Sequence, residues 1–181
     1  SPHHTHSVLV KMINKEIENH KSGLSSGIRL KLNAITNFSI IDKLYQASSE
    51  GVKIKMIVRG ICCLIPGIKG MSENIEVISI VDKFLEHPRV YQFDNGGSPK
   101  IYISSADFMT RNIENRVEVA VPIYDVRLQR QIKDVFDIIW NDNVKARRLN
   151  GTNQNAFVKN NLKANRSQFE IYEYYKRGVN L

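Results

Sequence analysis

One histidine followed two residues later by an arginine opens the chemistry of this chain: His87-Pro88-Arg89, at the entrance to a predicted hairpin. The hairpin's strands, Val90–Phe93 and Lys100–Ile103, flank a Gly96-Gly97 turn. Beyond it lies a polar run holding Ser104, Ser105, Asp107, Arg111, Asn112 and Arg116. Guanidiniums stay charged at ordinary pH and present a planar fork of donors suited to phosphate oxygens. An imidazole among such forks suits phosphoryl transfer, accepting a phosphoryl group or protonating a leaving oxygen while cations offset the equatorial charge. The competing reading is structural: Arg111 and Arg116 would bridge Asp107, Glu114 and Glu118. One such bridge would account for Glu118, a carboxylate inside the otherwise apolar Val117–Val121 segment.

The elements that must position these residues follow from periodicity. Ser7 is expected to cap a helix to about Asn19, with Leu9, Met12, Ile13 and Ile17 on one face. His3, His4 and His6 then precede it, without a metal-site spacing. Ile28, Leu30 and Leu32 alternate with Arg29 and Lys31 as a strand. Ser39-x-x-Asp42 resembles a capping box opening a second helix, and Val52 to Val58 forms the next strand. Strand–helix–strand order implies an α/β fold with parallel strands, whose ligands bind beyond the strands' carboxyl ends. Asn33 and Arg59 stand at that edge. Residues 61–72 read as irregular and Ile75–Ile80 as a strand, with a helical turn over Val81–Glu86. Asp125 caps the longest helix, to about Asn141; residues 150–161 read as loop and Phe169–Tyr175 as a last short helix.

The 181 residues suit a single domain. No apolar run approaches the roughly 20 residues that cross a bilayer. No signal peptide is visible, and a first residue other than Met points to a processed chain or an excised fragment. Cys62 and Cys63, the only cysteines, offer neither a disulfide framework nor a metal spacing, and are expected to be small buried side chains. The net charge is +8, and residues 145–181 carry eight Lys/Arg against two Glu. Such a basic segment favours polyanions without choosing among them.

Several runs resemble the C-terminal catalytic region of bacterial polyphosphate kinase of type 1: Val58-Arg-Gly-Ile-Cys-Cys-Leu-Ile-Pro-Gly, Ser72-Glu-Asn-Ile, Phe84-Leu-Glu-His-Pro-Arg-Val-Tyr, and Ile103-Ser-Ser-Ala-Asp-Phe-Met followed by Arg111-Asn112 and Arg116-Val-Glu. The likeness extends over nearly the whole chain. It implies a phospholipase D-like mixed sheet flanked by helices, with residues 1–181 as the second of two such catalytic domains. The wider phospholipase D pattern of His-x-Lys and Ser-Ala-Asn is matched by His87-Pro88-Arg89 and Ser104-Ser105-Ala106-Asp107, with Arg for Lys and Asp for Asn. Those departures argue against phosphodiesterase activity. The resemblance further implies reversible transfer of the terminal phosphate of ATP to inorganic polyphosphate through a phosphohistidine, with ATP/ADP and Mg²⁺.

By the same resemblance His87 is the second active-site histidine, and Arg59 and Arg116 bind nucleotide or chain phosphates. Arg89, Ser104, Ser105, Asp107, Arg111 and Asn112 stand as supporting residues. The phosphorylated histidine and the magnesium ligands belong to the preceding domain, so this chain alone is expected to be inactive and to hold no metal itself. The implied partners are polyphosphate, the preceding domains and a homo-oligomeric copy; the implied location is cytoplasmic, with peripheral inner-membrane association left open. A phospholipase D-like phosphodiesterase or nuclease, and a basic nucleic-acid-binding module, are the rival classes. The second suffers from a scarcity of aromatics among the basic residues, and no nucleic-acid partner is expected.

Overall fold

A computed structural model describes residues 2–150 and 155–178, with side chains from His4 onward. An eight-stranded mixed sheet is its centre, in the order β6-β5-β4-β1-β2-β3-β7-β8. In chain order the elements are α1 (Pro2–Lys21), β1 (Ile28–Leu32), α2 (Phe38–Ser49), β2 (Ile54–Val58), β3 (Ile75–Ser79), β4 (Arg89–Phe93), β5 (Lys100–Ser104), β6 (Ala120–Pro122), α3 (Val126–Trp140), β7 (Arg147–Leu149), β8 (Ala156–Phe157) and α4 (Ser167–Gly178). β1, β2 and β3 run parallel, as the strand–helix–strand reading requires. β4 enters antiparallel on the other side of β1 and pairs with β5 as the expected hairpin. Its turn, Asn95–Gly97, carries positive φ at all three residues, a conformation that glycine adopts without a Cβ penalty.

Side-chain alternation sorts the strands into two cores. Leu30, Leu32, Ile54, Met56 and Val77 face one way and bury Leu9 and Ile13 of α1 and Ile40 and Leu44 of α2. Ile57, Ile78 and Ile80 face the other way, against Phe136 and Ile139 of α3 and, more loosely, Ile171 of α4. Full burial of a side chain such as Phe136 contributes about 1.5–3 kcal/mol. Helices therefore cover both faces of the sheet's parallel part. The β5–β6 margin is thinner: Ile103, Val121 and Tyr124 remain exposed.

Local chemistry revises several expected boundaries. Ser7 lies inside α1, its hydroxyl donating to the carbonyl of His4, so it caps nothing and His4 and His6 are helical; the side chain of His3 is outside the described residues. Asn37, not Ser39, caps α2 by accepting the Ile40 N–H. Asp125 does cap α3, accepting from the N–H groups of Arg127 and Leu128. Residues 81–86 form no helical turn: Asp82 is bridged by Arg166, and Phe84 by Gln168, so backbone groups there are met by the C-terminal region instead of by a local helix. The Val117–Val121 segment is not a buried strand. Only Ala120–Pro122 pairs with β5, at a sheet edge, with Val117 and Val119 exposed. β7 and β8, too short for a periodic signal, occupy part of the region read as basic tail and loop. Cys62 is half-buried but Cys63 is exposed, against the expectation for both.

Candidate active site

The site lies at the carboxyl edge of β1 and β2, where β4 begins and β5 ends. Asn33 follows β1 and Arg59 follows β2; Arg59 Nε donates to Asn33 Oδ1 at 2.8 Å. The close approach of these strand ends requires Gly60, because a Cβ there would lie 2.9 Å from the Asn33 carbonyl oxygen. Asn33 is tied in turn to Asp107: Asp107 Oδ1 accepts the backbone N–H groups of Asn33 at 2.7 Å and Ala34 at 3.0 Å. The other carboxylate oxygen takes Arg89 Nη2 at 2.6 Å. Burial works to raise the pKa of Asp107, but the Arg89 guanidinium and the two backbone N–H groups outweigh it and hold the carboxyl below the usual range.

Arg89 then grips His87. Its Nη1 lies 2.9 Å from His87 Nδ1 and donates at 3.0 Å to the His87 carbonyl, while Nη2 lies 3.0 Å from Nε2. A guanidinium only donates, and a neutral imidazole has one lone pair in its plane. In the neutral ring at most one of the two nitrogens can accept from Arg89. The ring itself is exposed, whereas Arg89 and Asp107 are nearly buried, at 11% and 5% side-chain exposure. Arg89 Nε has no hydrogen-bond partner among the described residues, so the fork is not fully satisfied by the fold. Arg59, Asn33, Asp107, Arg89 and His87 thus form one hydrogen-bonded relay. The two departures from the wider phospholipase D pattern, Arg for Lys and Asp for Asn, are this ion pair: they touch each other.

The remaining candidates separate into two groups. Ser104 is turned inward, its hydroxyl donating to the Val119 carbonyl and accepting the Ala106 N–H, which shapes the exit of β5. Ser105 donates to Glu118, which also accepts from Asn112 at 2.6 Å. Glu118 was expected to be explained by Arg111 or Arg116; the structure supplies the Ser105 hydroxyl and the Asn112 amide. Slight burial works to raise its pKa, but these two hydrogen bonds, with Arg116 and Arg89 acting through their charge, bring it below the ordinary value. Arg111 and Arg116 begin and close a π-type turn over Arg111–Asn115 and are both exposed. Arg116 acts through its charge on Glu118, as does Arg89 of the relay; among the described residues no hydrogen bond or ion pair joins Arg111 to the relay.

Two residues that sequence reasoning passed over also shape the site. Lys31 was read as an outward polar residue of β1, yet it is buried, with Nζ 3.1 Å from Glu86. Gln168 of α4 accepts the Phe84 N–H and donates to the Phe84 carbonyl, each at 2.8 Å, and donates to Glu86 at 3.0 Å. Together they pin the strap that delivers His87. An alternating cation gave a hint of Lys31; a partner 84 positions away gave none of Gln168.

The residues do not make a cradle for magnesium. Among the described residues no three His, Cys, Asp or Glu converge, and Asp107 and Glu118 already accept from the donors named above. The exposed His87, Arg111 and Arg116 and the half-buried Arg59 offer donors and positive charge, which suits an anion.

Comparison with known proteins agrees with this architecture. The family model described as Polyphosphate kinase C-terminal domain 2 matches residues 1–168. The chain is 50% identical over 177 residues to a polyphosphate kinase of Klebsiella pneumoniae and 49% to that of Escherichia coli strain K12, covering 97% of this chain. It spans about a quarter, 26%, of the length of each of those relatives. The crystal structure of polyphosphate kinase from Porphyromonas gingivalis superimposes with a TM-score of 0.94 at 42% identity, over 97% of this chain and 27% of that one. Nuc from Salmonella typhimurium, a phospholipase D family member, shares the fold with a TM-score of 0.58 at 17% identity, over 80% of this chain and 90% of its own. The match over residues 1–168 and these likenesses converge: the chain belongs to the polyphosphate kinase C-terminal domain 2 family.

Proposed function

We propose that this chain forms one wall of a polyphosphate kinase active site and works with a preceding part of the same longer protein. The reaction moves the terminal phosphoryl group of ATP to the end of a polyphosphate chain, giving ADP and a chain one phosphate longer, and runs in both directions. In the two-step form, a histidine nitrogen outside this chain attacks the terminal phosphorus and the bond to the ADP oxygen breaks. The terminal oxygen of polyphosphate then attacks that phosphorus and the nitrogen–phosphorus bond breaks. His87, exposed and held by Arg89, would hold or release a proton at a ring nitrogen, beside the oxygens that gain and lose charge. Arg59 and Arg116 would offset that charge on nucleotide or chain phosphates.

The observation that carries this reading is the relay from Arg59 through Asn33, Asp107 and Arg89 to an exposed His87. It spends buried groups on orienting a solvent-facing imidazole, an investment that a merely structural histidine does not need. By itself, the chain is expected to bind phosphate chains without extending them.

The test uses a full-length enzyme carrying this segment. His87→Ala should lower the rate of ATP-dependent polyphosphate synthesis by roughly a hundredfold or more, in the range of a lost general acid–base group. Arg59→Ala should cost about 10²–10³ in turnover, as for removal of a charge-stabilising donor. Wild-type turnover in either variant would remove that residue from the mechanism, and synthesis by the 181-residue chain alone would refute its dependence on a missing partner.

A further inference from the structure

A second cationic feature lies across the same sheet edge, on the side of Arg59 away from His87. A polar cleft of about 760 Å³ opens between the ends of β2 and β3 and the β7–β8 pair. Its cations are Arg59, Lys145 and Arg147, and its apolar wall includes Pro66 and Phe157. The volume falls in the range of small-molecule sites. Register explains the convergence. Arg147 pairs with Ser79, the last residue of β3, and the Ser79 hydroxyl donates at 3.3 Å to the carbonyl of Arg59. Adjacent strands lie about 4.8 Å apart, so the ends of β2 and β7 are separated by about 10 Å.

Neither Lys145 nor Arg147 makes an ion pair among the described residues. Lys145 acts on Asp82 only through its charge, and Asp82 is already bridged by Arg166 at 2.6 Å. Arg147 Cζ lies over the Phe157 ring, 3.8 Å from its centroid, and one of its donors goes to the Asn155 carbonyl at 3.0 Å. The ring contact restrains the guanidinium and leaves its other N–H groups available to a ligand. The cleft therefore holds three half-buried cations with no carboxylate neutralising two of them, in surroundings where water screens charge less than at an open surface.

We propose that this cleft is a second subsite, for the part of a condensed phosphate chain that lies beyond the reacting phosphate. Arg59 is the link: its guanidinium belongs to the His87 relay and also lines the cleft. A linear phosphate chain seated at His87 passes Arg59 and continues over Lys145 and Arg147, each offering donors to successive phosphate groups. This assignment rests on the proposed kinase reading for which anion is relevant, but not on turnover for its test. The triphosphate tail of a nucleotide presents the same chemistry as a short piece of polyphosphate, so the two sources must be separated.

Calorimetric titration of the 181-residue chain with ATP, and with a linear polyphosphate longer than the cleft, does so. Lys145→Gln/Arg147→Gln should weaken binding of the long chain by on the order of tenfold or more, the loss of two charged hydrogen-bonding partners. Circular dichroism and melting are measured alongside. If the double variant does not fold, Lys145→Gln alone, which breaks no ion pair, should still weaken binding several-fold. Weakening confined to polyphosphate assigns the cleft to the polymer; equal weakening toward ATP assigns it to a nucleotide's phosphates. Unchanged affinity for both ligands in a folded variant overturns the subsite. A full rate in His87→Ala would sink the catalytic reading while leaving this binding result standing, so the two failures are distinguishable.

Discussion

Replacing Asp107 by asparagine isolates the ion pair at the centre of the relay. The amide oxygen can still accept the N–H groups of Asn33 and Ala34, while the amide nitrogen is left opposite Arg89 Nη2, a donor facing a donor. Arg89 and Asp107 have side-chain exposures of 11% and 5%, so water cannot readily take over. Breaking a buried pair on one side costs about 3–5 kcal/mol because an uncompensated charge remains. The slight exposure of Arg89 and its second contact with the His87 carbonyl place the expected loss near the lower end, about 3 kcal/mol. For a domain of this size that lowers the melting temperature by roughly 6–12 °C.

The effect also has a pH signature. The carboxyl of Asp107 titrates below its ordinary value despite its burial, because Arg89 and the two N–H groups favour the charged form. Its contribution is therefore complete above the unfolded carboxylate range, about pH 3.9, and is lost as pH falls through the lower folded value. Urea unfolding at neutral and acid pH should show the wild type losing this stability with acid and Asp107→Asn having none of it to lose. In a double-mutant cycle, Arg89→Met should restore part of the stability of Asp107→Asn by removing the stranded cation. A neutral-pH loss under about 1 kcal/mol, or strictly additive single effects, would refute the pair as the site's anchor.

Four further outcomes follow from other features. Gln168→Ala should remove three hydrogen bonds from residues 84–86 and speed amide exchange there and at His87, with little change in the β1–β2 core; equal exchange in wild type and variant would refute the strap. Glu16 is fully buried and accepts the N–H groups of Gly27 and Asn95, so Glu16→Ala should destabilise by about 2 kcal/mol in urea unfolding. Burial raises the pKa of Glu16, opposite in sign to Asp107, so its protonation adds relative stability as pH falls through that raised value; the Glu16→Gln variant should lack that dependence. Burial pushes the Cys62 thiol up to about 11, whereas Cys63 is exposed; mass spectrometry after limited alkylation should find Cys63 modified first, and the reverse order would contradict the placement.

The legible part of this chain was the part in which local pattern and tertiary role coincide. Alternation over Ile28–Leu32 and Ile54–Val58, the Gly96-Gly97 turn and the Asp125 cap each state a backbone conformation by themselves, and each is present in the fold. His87, Arg89 and Asp107 were marked by residue type, yet nothing local announces that Arg89 joins the other two. That requires the antiparallel register of β4 and β5. Glu118 misled because an apolar run with one carboxylate was taken for a buried strand, whereas an edge strand leaves its valines in water. β7 and β8 escaped because strands of three and two residues are shorter than one reading of the period. The cleft at Arg147 was invisible for the same reason.

The connection between the His87 strap and α4 has a consequence for synthesis. Strands β1 to β6 are complete once residue 122 has emerged, and Lys31 can then hold Glu86, but the contacts to Asp82 and Phe84 wait for Arg166 and Gln168. A growing chain can therefore close most of its sheet while the first half of the strap still lacks its partners. Emergence of residues 166–168, rather than closure of the sheet, is then the event that completes the strap's contacts. A protein lacking residues 167–178 would keep the Arg89–Asp107 pair and lose the Gln168 contacts to the strap, which makes α4 a late-arriving brace for a site whose centre is already built.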